Sequence, residues 1–558
     1  MNQAPISRWM AALERGALRP QLAAYYGADE APRWETHYLE ALAAFAARCG
    51  GEGEVVLARC PAQMNLMGMH IDYGGMPSLR MAVRGADTLA VARANLDGQV
   101  RLHSLMRVPG EAEGRFAPAS FSLAEVVPAE PVATRQALMD YAARVDRSHL
   151  AAGWAVLPQG GLIFLESYFR RRQALRGMDC LVWSNVSPSG GMSSSSALVV
   201  ATAYAAMGAN GLAPRVEMPE EDLVDGIGTS EWIRGTRGGT ADHGGMILGR
   251  SGKLVSVGVF PARSLGYADL PDSHVALILD SGVSRVYDEA VKEETVIAYP
   301  LGAFLACQQV LPRLEGTPGF EGLVSDYALR VAYIRDLTGE HLGIGLPQLY
   351  QVLEGLPVLT TLGEVEEQTG AAYAPFHQQQ IGGRFQRITP DYPIRLRRRF
   401  AFGLAEQDRV RAMRAYLNEG RLETALQLMR IAHDGDLDRE VGDADLAQRR
   451  RAALAGEEGG QLCFLPGGYG RLTPAYDRVA RVINQYLLEQ GGPQAGAVQR
   501  LGAGWGGNVG GLVRREFISG ERGSGFQRLL REELGLEAEL EKCQALPGEG
   551  ACLLKAPA

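Results

Sequence analysis

The chain has 558 residues, 46% of them hydrophobic and 22% charged, with a formal net charge of −8 at pH 7. That length holds two or three domains and a large core. No long basic stripe runs along it, which argues against a dedicated nucleic-acid binder and still allows a small anionic substrate in a local basic pocket. The seven cysteines (Cys49, Cys60, Cys180, Cys307, Cys463, Cys543 and Cys552) are odd in number and form no CxxC pair, as in a reducing compartment rather than a disulfide framework. Met1 to Arg19 lacks the apolar core of a signal peptide. No uninterrupted apolar run reaches about 18 residues. The expectation is a cytoplasmic protein with neither membrane nor nucleic acid among its partners.

Residues 1–50 read as helical and close on Gly50-Gly51. Val55 to Ala58 is a short strand ahead of a dense motif at 59–75. Residues 82–106 alternate like paired strands around a turn at Asn95-Leu96-Asp97-Gly98. Residues 132–178 are mainly helical and end near the basic cluster Arg170-Arg171-Arg172. Leu181 to Trp183 is a strand leading into a Gly/Ser loop at 188–196, and Ala197 to Met207 is apolar on nearly all sides, so a buried helix is predicted. Val275 to Leu279 is a buried strand. Residues 397–433 form an amphipathic helix broken at Asn418-Glu419-Gly420, residues 434–470 a charged, glycine-rich loop or insertion, and Pro474 to about Glu489 a further helix. Strands and helices mix without a regular βαβ beat, which predicts an α+β architecture. A boundary near 255 divides the chain into domains 1–255 and 256–558.

Three glycine-bearing segments carry chemistry. In Pro188-Ser-Gly-Gly-Met-Ser-Ser-Ser-Ser-Ala197-Leu198, glycines let several backbone N–H groups face one anion. A helix starting at the serines adds its positive end. The alternative is a flexible Gly/Ser linker, but a linker does not run into an apolar helix. No Gly-Lys-Ser/Thr follows, so this is not a Walker A loop. In Leu501-Gly-Ala-Gly-Trp-Gly-Gly-Asn-Val-Gly510, Gly502, Gly504 and Gly507 match GxGxxG. The following residues read as strand, however, and a dinucleotide fingerprint needs a helix there. Two readings remain: a backbone loop packed close to a ligand or to the other Gly loop, or a structural turn. In Arg59 to Gly75, polar residues gather at a strand end, and His70 and Asp72 share a face if the chain there is extended. Alone, that pair reads equally as a turn histidine beside a capping aspartate.

Together and in this order, the three segments resemble the GHMP kinase superfamily, and most closely its galactokinase branch. Cys60-Pro61-Ala62-Gln63-Met64-Asn65-Leu66-Met67-Gly68-Met69-His70-Ile71-Asp72-Tyr73 is similar to Ala-Pro-Gly-Arg-Val-Asn-Leu-Ile-Gly-Glu-His-Thr-Asp-Tyr. The serine run resembles the Pro-x-x-x-Gly-Leu-Ser-Ser-Ser-Ala phosphate loop, and Gly502 to Gly507 resembles Gly-Ala-Gly-Phe-Gly-Gly. Gly235 to His243, Asp280 to Val283 with Tyr287, the helix ending in His433, and Pro547 to Ala551 (as a terminal strand) are weaker matches. Residues 340–395 and 434–470 have no counterpart.

The resemblance implies a two-domain GHMP kinase fold with the active site in the interdomain cleft, and an enzyme that phosphorylates a sugar with ATP and Mg²⁺. It places ATP phosphates on Gly190, Gly191, Ser193, Ser194 and Ser195, and Mg²⁺ on Ser195 and Glu231, the latter one residue short of the usual spacing. It makes Asp242 the group that orients or deprotonates the attacking hydroxyl, and puts Met69, His70, Asp72 and Tyr287 around the sugar. Two departures stand out. Gln63 replaces an arginine beside the reacting hydroxyl, with Arg59, Arg234 or Arg237 as candidate substitutes. Met69 replaces a glutamate that holds the hydroxyl on C6. Smaller changes are Pro188, one residue nearer the glycine than usual, and Ser196 in place of alanine. The expected reaction is a sugar-1-kinase step at the anomeric hydroxyl of a sugar other than plain galactose: a pentose, a 6-deoxy sugar or a modified hexose. A non-catalytic sensor of sugar and ATP on the same fold is the alternative from another class.

Overall fold

A computed structural model describes residues 2–106, 116–186, 191–235, 238–382 and 385–557. The strands are β1 (Gln3–Pro5), β2 (Glu54–Met67), β3 (Ser78–Ala94), β4 (Gln99–Ser104), β5 (Ala119–Ser122), β6 (Met178–Ser184), β7 (Lys253–Gly258), β8 (Arg263–Asp269), β9 (His274–Asp280), β10 (Gly496–Arg500), β11 (Asn508–Arg514), β12 (Gln544–Ala545) and β13 (Cys552–Leu553). Contacts divide the chain into two units. The first comprises 1–65, 80–270 and 545–558; the second comprises 66–79 and 271–544. The border at 270/271 lies beyond the predicted 255. A single cut also misses two features: the segment 66–79 belongs with the second unit, and the C-terminal residues return to the first.

The first unit is built on a sheet ordered β1-β2-β3-β6-β4-β5, with β13 on β2, and β7 on β3 followed by β8. Its N-terminal helices, among them Ala31–Cys49 closed by Gly50 at φ 88°, lie over one sheet face. Trp9, Trp34, Tyr38 and Phe45 pack there with Val55 and Leu57 of β2, Leu89 and Val91 of β3 and Leu181 of β6. The alternation of these strand residues follows from the two-residue period of a strand. The helix Ser194–Ala209 is buried from Ser196 onward, as its all-round apolar sequence predicts.

Two expectations for this unit fail. Residues 82–106 do not form a hairpin, because β6 lies between β3 and β4, antiparallel to one and parallel to the other. Local alternation reports strands but not their partners. Residues 547–551 are not a strand: Pro547 makes an isolated bridge to Val83, and the terminal strand is β13.

The second unit combines a sheet ordered β10-β11-β9-β12 with helices. Leu396–Asn418 is buried along most of its length and packs against Glu289–Leu305 and Leu422–Asp434. The predicted break holds: Gly420 has φ 73°, and Leu422–Asp434 follows. Pro474–Gly491 starts as its sequence suggests, with Pro474 at the first position and Thr473 Oγ1 accepting from Tyr476 N at 3.3 Å. Residues 434–470 are not a plain loop. They contain the helix Asp443–Leu454 and bury Asp436 completely. Glu289–Leu314 is long and apolar enough by length and composition to cross a membrane, but 67% of that window is buried inside the fold.

Candidate active site

Within the first unit, one ring of side chains joins three distant stretches of sequence. Gln63 sits on β2, Arg80 on the neighbouring β3, Ser193 just before the helix Ser194–Ala209, and Asp242 in the first turn of the helix Ala241–Leu248. Asp242 Oδ1 accepts from Arg80 Nη1 and, at 3.3 Å, from Gln63 Nε2. Its Oδ2 accepts from Ser193 Oγ. Gln63 Nε2 also donates to Ser193 Oγ at 3.0 Å, while Arg80 Nη1 donates to Gln63 Oε1 at 2.8 Å. Arg80 is buried, and the Asp242 side chain is 33% exposed. A carboxylate fixed on three sides and open on another is suited to meet a hydroxyl group.

Arg80 is the residue that the sequence alone did not single out. The arginine missing at position 63 has its charge restored from the next strand. The substitutes suggested by sequence fare differently. Arg59 is buried in an ion pair with Asp87 at 2.6 Å and held by the carbonyls of Glu549 and Gly550. Arg234 is exposed, and Arg237 lies outside the described residues. The only available signal was geometric: Arg80 follows the turn after the motif, and two adjacent strands bring such positions together.

The phosphate-loop assignments divide. Gly190, like Pro188, lies outside the described residues. Gly191 has φ 72°, and Ser193 has φ 58°, a left-handed conformation uncommon outside glycine. Ser193 Oγ is committed to Asp242, so this residue couples the loop to the carboxylate. Ser194 and Ser195 open the helix, where free backbone N–H groups and the positive helix end favour an anion. Glu231 Oε1 lies 2.7 Å from His243 Nε2, and its side chain is 17% exposed.

The second unit holds the sugar-segment residues. β2 ends at Met67, so His70 and Asp72 do not share the face of an extended chain. His70 has φ 64°, and Asp72 begins a short 3₁₀ turn to Gly74. Glu406 Oε1 accepts from Gly68 N at 2.9 Å and Met69 N at 3.3 Å, while its Oε2 accepts from Arg409 Nε at 2.6 Å. Met69 is buried. His70 stacks on Tyr469 with ring centroids 4.8 Å apart, and its Nε2 lies 3.5 Å from Asp436 Oδ2. Asp436 is ion-paired with Arg500, both fully buried. Burial, aided by Arg471 and Arg500, pushes the His70 imidazole down to about 4, although Asp436 opposes this. Arg500 first and His70 next bring Asp436 down to about 2 against the upward push of burial. Asp72 Oδ1 accepts from Tyr73 N at 3.1 Å.

Tyr287, 48% exposed, meets Trp505 edge to face rather than joining the His70 cluster. The loop 502–507 is a close backbone packing element of its own unit. A Cβ on Gly506 would fall 2.4 Å from Val283 O, and one on Gly504 would fall 2.7 Å from Arg471 Cβ. These neighbours account for both glycines.

Residues 162–250 match the family GHMP kinases N terminal domain, and residues 43–93 match the galactokinase galactose-binding signature. Galactokinase of Candida parapsilosis is 25% identical over 342 residues, 58% of this chain and 62% of that protein, less than two thirds of its length. Galactokinase of Candida maltosa is 27% identical over 225 residues, 40% of this chain and 92% of that protein. The crystal structure of Lactococcus lactis galactokinase complexed with galactose has a TM-score of 0.55 at 17% identity, covering 93% of this chain and 100% of that one. The chain therefore has the galactokinase fold. Asp242 and the serine run lie in the first matched stretch; Gln63, Met69, His70, Asp72 and Arg80 lie in the second.

Proposed function

We propose that this chain, which carries the GHMP kinase N-terminal domain and the galactokinase galactose-binding signature, is a sugar kinase that transfers the γ-phosphoryl group of ATP to a monosaccharide. The acceptor is the anomeric hydroxyl, and the sugar is not plain galactose. The observation that carries the reading is the Asp242 ring. A half-open carboxylate is tied by Ser193 to an anion-binding helix start and by Arg80 to a permanent positive charge.

In the proposed step the hydroxyl oxygen forms a bond to the γ-phosphorus and its proton passes to the Asp242 carboxylate. The bond from the γ-phosphorus to the bridging oxygen breaks, and ADP leaves with that electron pair. The transition state is loose, so orientation and charge stabilisation matter more than base strength. Arg80 and Gln63 fix Asp242; Arg80 also places positive charge where the transferring group is negative. Ser194, Ser195 and the backbone of Gly191 would receive the phosphates.

Ser195 and Glu231 together offer a hydroxyl and a carboxylate oxygen. Such hard donors suit a Mg²⁺ ion that keeps phosphate and water as its remaining ligands, and His243 keeps Glu231 in one orientation. When bound, Mg²⁺ would neutralise phosphate charge. Met69 in place of a polar group disfavours a neutral C6 hydroxyl at that position, because a buried hydroxyl without a partner is costly.

The test is ADP release with MgATP over a panel of pentoses, hexoses, deoxysugars and uronates, with Asp242→Asn alongside. Sugar-dependent turnover abolished by Asp242→Asn is expected. ATP binding without turnover on any sugar would favour the sensor, and selective use of unmodified galactose would remove the substrate part of the proposal.

A further inference from the structure

One helix of the second unit grips the segment 68–75 at both ends. Leu396–Asn418 supplies Glu406, which accepts from the backbone of Gly68 and Met69. The next residue, Gln407, works at the other end through a go-between. Its Nε2 donates at 3.2 Å to the carbonyl of Arg335, in the short 3₁₀ turn Ile334–Asp336. Ile334 of that turn is buried against the same helix at Gly403, where a Cβ would lie 3.0 Å from Ile334 Cδ1. Asp336 Oδ2 accepts from Ala332 N at 3.0 Å and Tyr333 N at 2.8 Å, which holds the turn in shape locally.

From this base Arg335 reaches the segment. Its Nη1 donates to the Gly75 carbonyl at 2.9 Å, and its guanidinium lies over the Tyr333 ring, 4.7 Å from the centroid. The ring and the planar donor fork together favour one orientation. Tyr333 also closes on Gly75, which has φ 80° and where a Cβ would fall 2.8 Å from Tyr333 Cγ. Gly75 N in turn donates to Asp72 O at 2.9 Å. A single residue thus links Arg335 to the backbone of Asp72, and Asp72 is buried, so the direction of its carboxylate follows its backbone.

We propose that Arg335 is a positioning residue for the sugar: by fixing Gly75 it fixes the turn that aims Asp72 at a ring hydroxyl. Small displacements of such a group weaken recognition steeply. Arg335 lies outside both stretches that match family models, 43–93 and 162–250. The inference rests on the sugar-kinase reading and adds a residue to its sugar site.

The experiment uses the purified full chain, with turnover and calorimetric binding measured for galactose, glucose, arabinose, fucose and galacturonate. For the sugar used best, Arg335→Gln is expected to raise KM at least tenfold, with kcat within twofold and ATP affinity unchanged. Arg335→Lys, which keeps a charged donor, should fall between the two. Arg335→Gln should lower kcat/KM less than twofold once Asp72→Ala is present, because residues that act as a unit do not add. An unchanged KM, losses that multiply in the double variant, or a fall in kcat and melting temperature at constant KM would each overturn the proposal and leave the kinase reading in place. Sugar binding without turnover, weakened at least tenfold by Arg335→Gln, would support the positioning role and overturn the kinase reading instead. Neither binding nor turnover with any of the sugars would overturn both.

Discussion

The Asp242 ring of the first unit and the His70 cluster of the second use the same side-chain types to opposite ends. In the ring an arginine and a carboxylate pair at a partly exposed position, where the carboxylate remains open to a reactant. In the cluster, Asp436 and Arg500 are fully buried, and Arg471 lies against the rings of Tyr469 and Trp505. Exposure decides the outcome. A half-open ion pair costs little to form and can act on a reactant, while a buried one is sensitive to the loss of either partner.

The comparison breaks most decisively at Asp242. Asp242→Asn is expected to lower kcat by about 10³-fold or more while ATP still binds, because the general base and charge are lost but the helix start is untouched. Single-turnover ADP formation alongside nucleotide titration checks it. Arg80→Leu should cost about 10²–10³-fold in kcat/KM. The double variant Gln63→Arg with Arg80→Leu should recover most of that loss by returning the positive charge to β2; no recovery would show that Arg80 does more than supply a charge to Asp242.

In the cluster the expected effects are on stability. Asp436→Asn removes the partner of buried Arg500 and should destabilise the fold by about 3 kcal/mol, read by denaturant unfolding. The smallest effect expected is a pH slope. Folded His70 titrates near 4 against 6.5 for an unperturbed histidine, so the unfolded chain binds more protons between those values. Its contribution is complete above about 6.5 and is lost as the pH falls toward 4. A melting temperature that declines over that window, and declines less in His70→Asn, is the expected result.

Legibility followed the range of the forces involved. The buried helix after the serine run, the break at 418–420 and the helix start near Pro474 were readable because periodicity, proline and glycine conformation act within a few residues. The strands β3 and β4 were readable, but their separation by β6 was not, since partner choice depends on chain some 80 residues away. His70 and Asp72 were found by motif, yet their mutual geometry was misread because the strand stops at Met67.

By itself, the sequence determined the α+β class and such helices as Ser194–Ala209 and Pro474–Gly491, and it pointed to Asp242, Gln63 and His70 as residues of interest. Only the tertiary structure brought Arg80 to Asp242, 162 positions apart, and Arg500 to His70, 430 apart. Charge balance is a property of neighbours in space. Coulomb energy depends on separation and burial, not on distance along the chain, so the charge that Gln63 lacks and Arg80 supplies became visible only once the fold had set the two strands side by side.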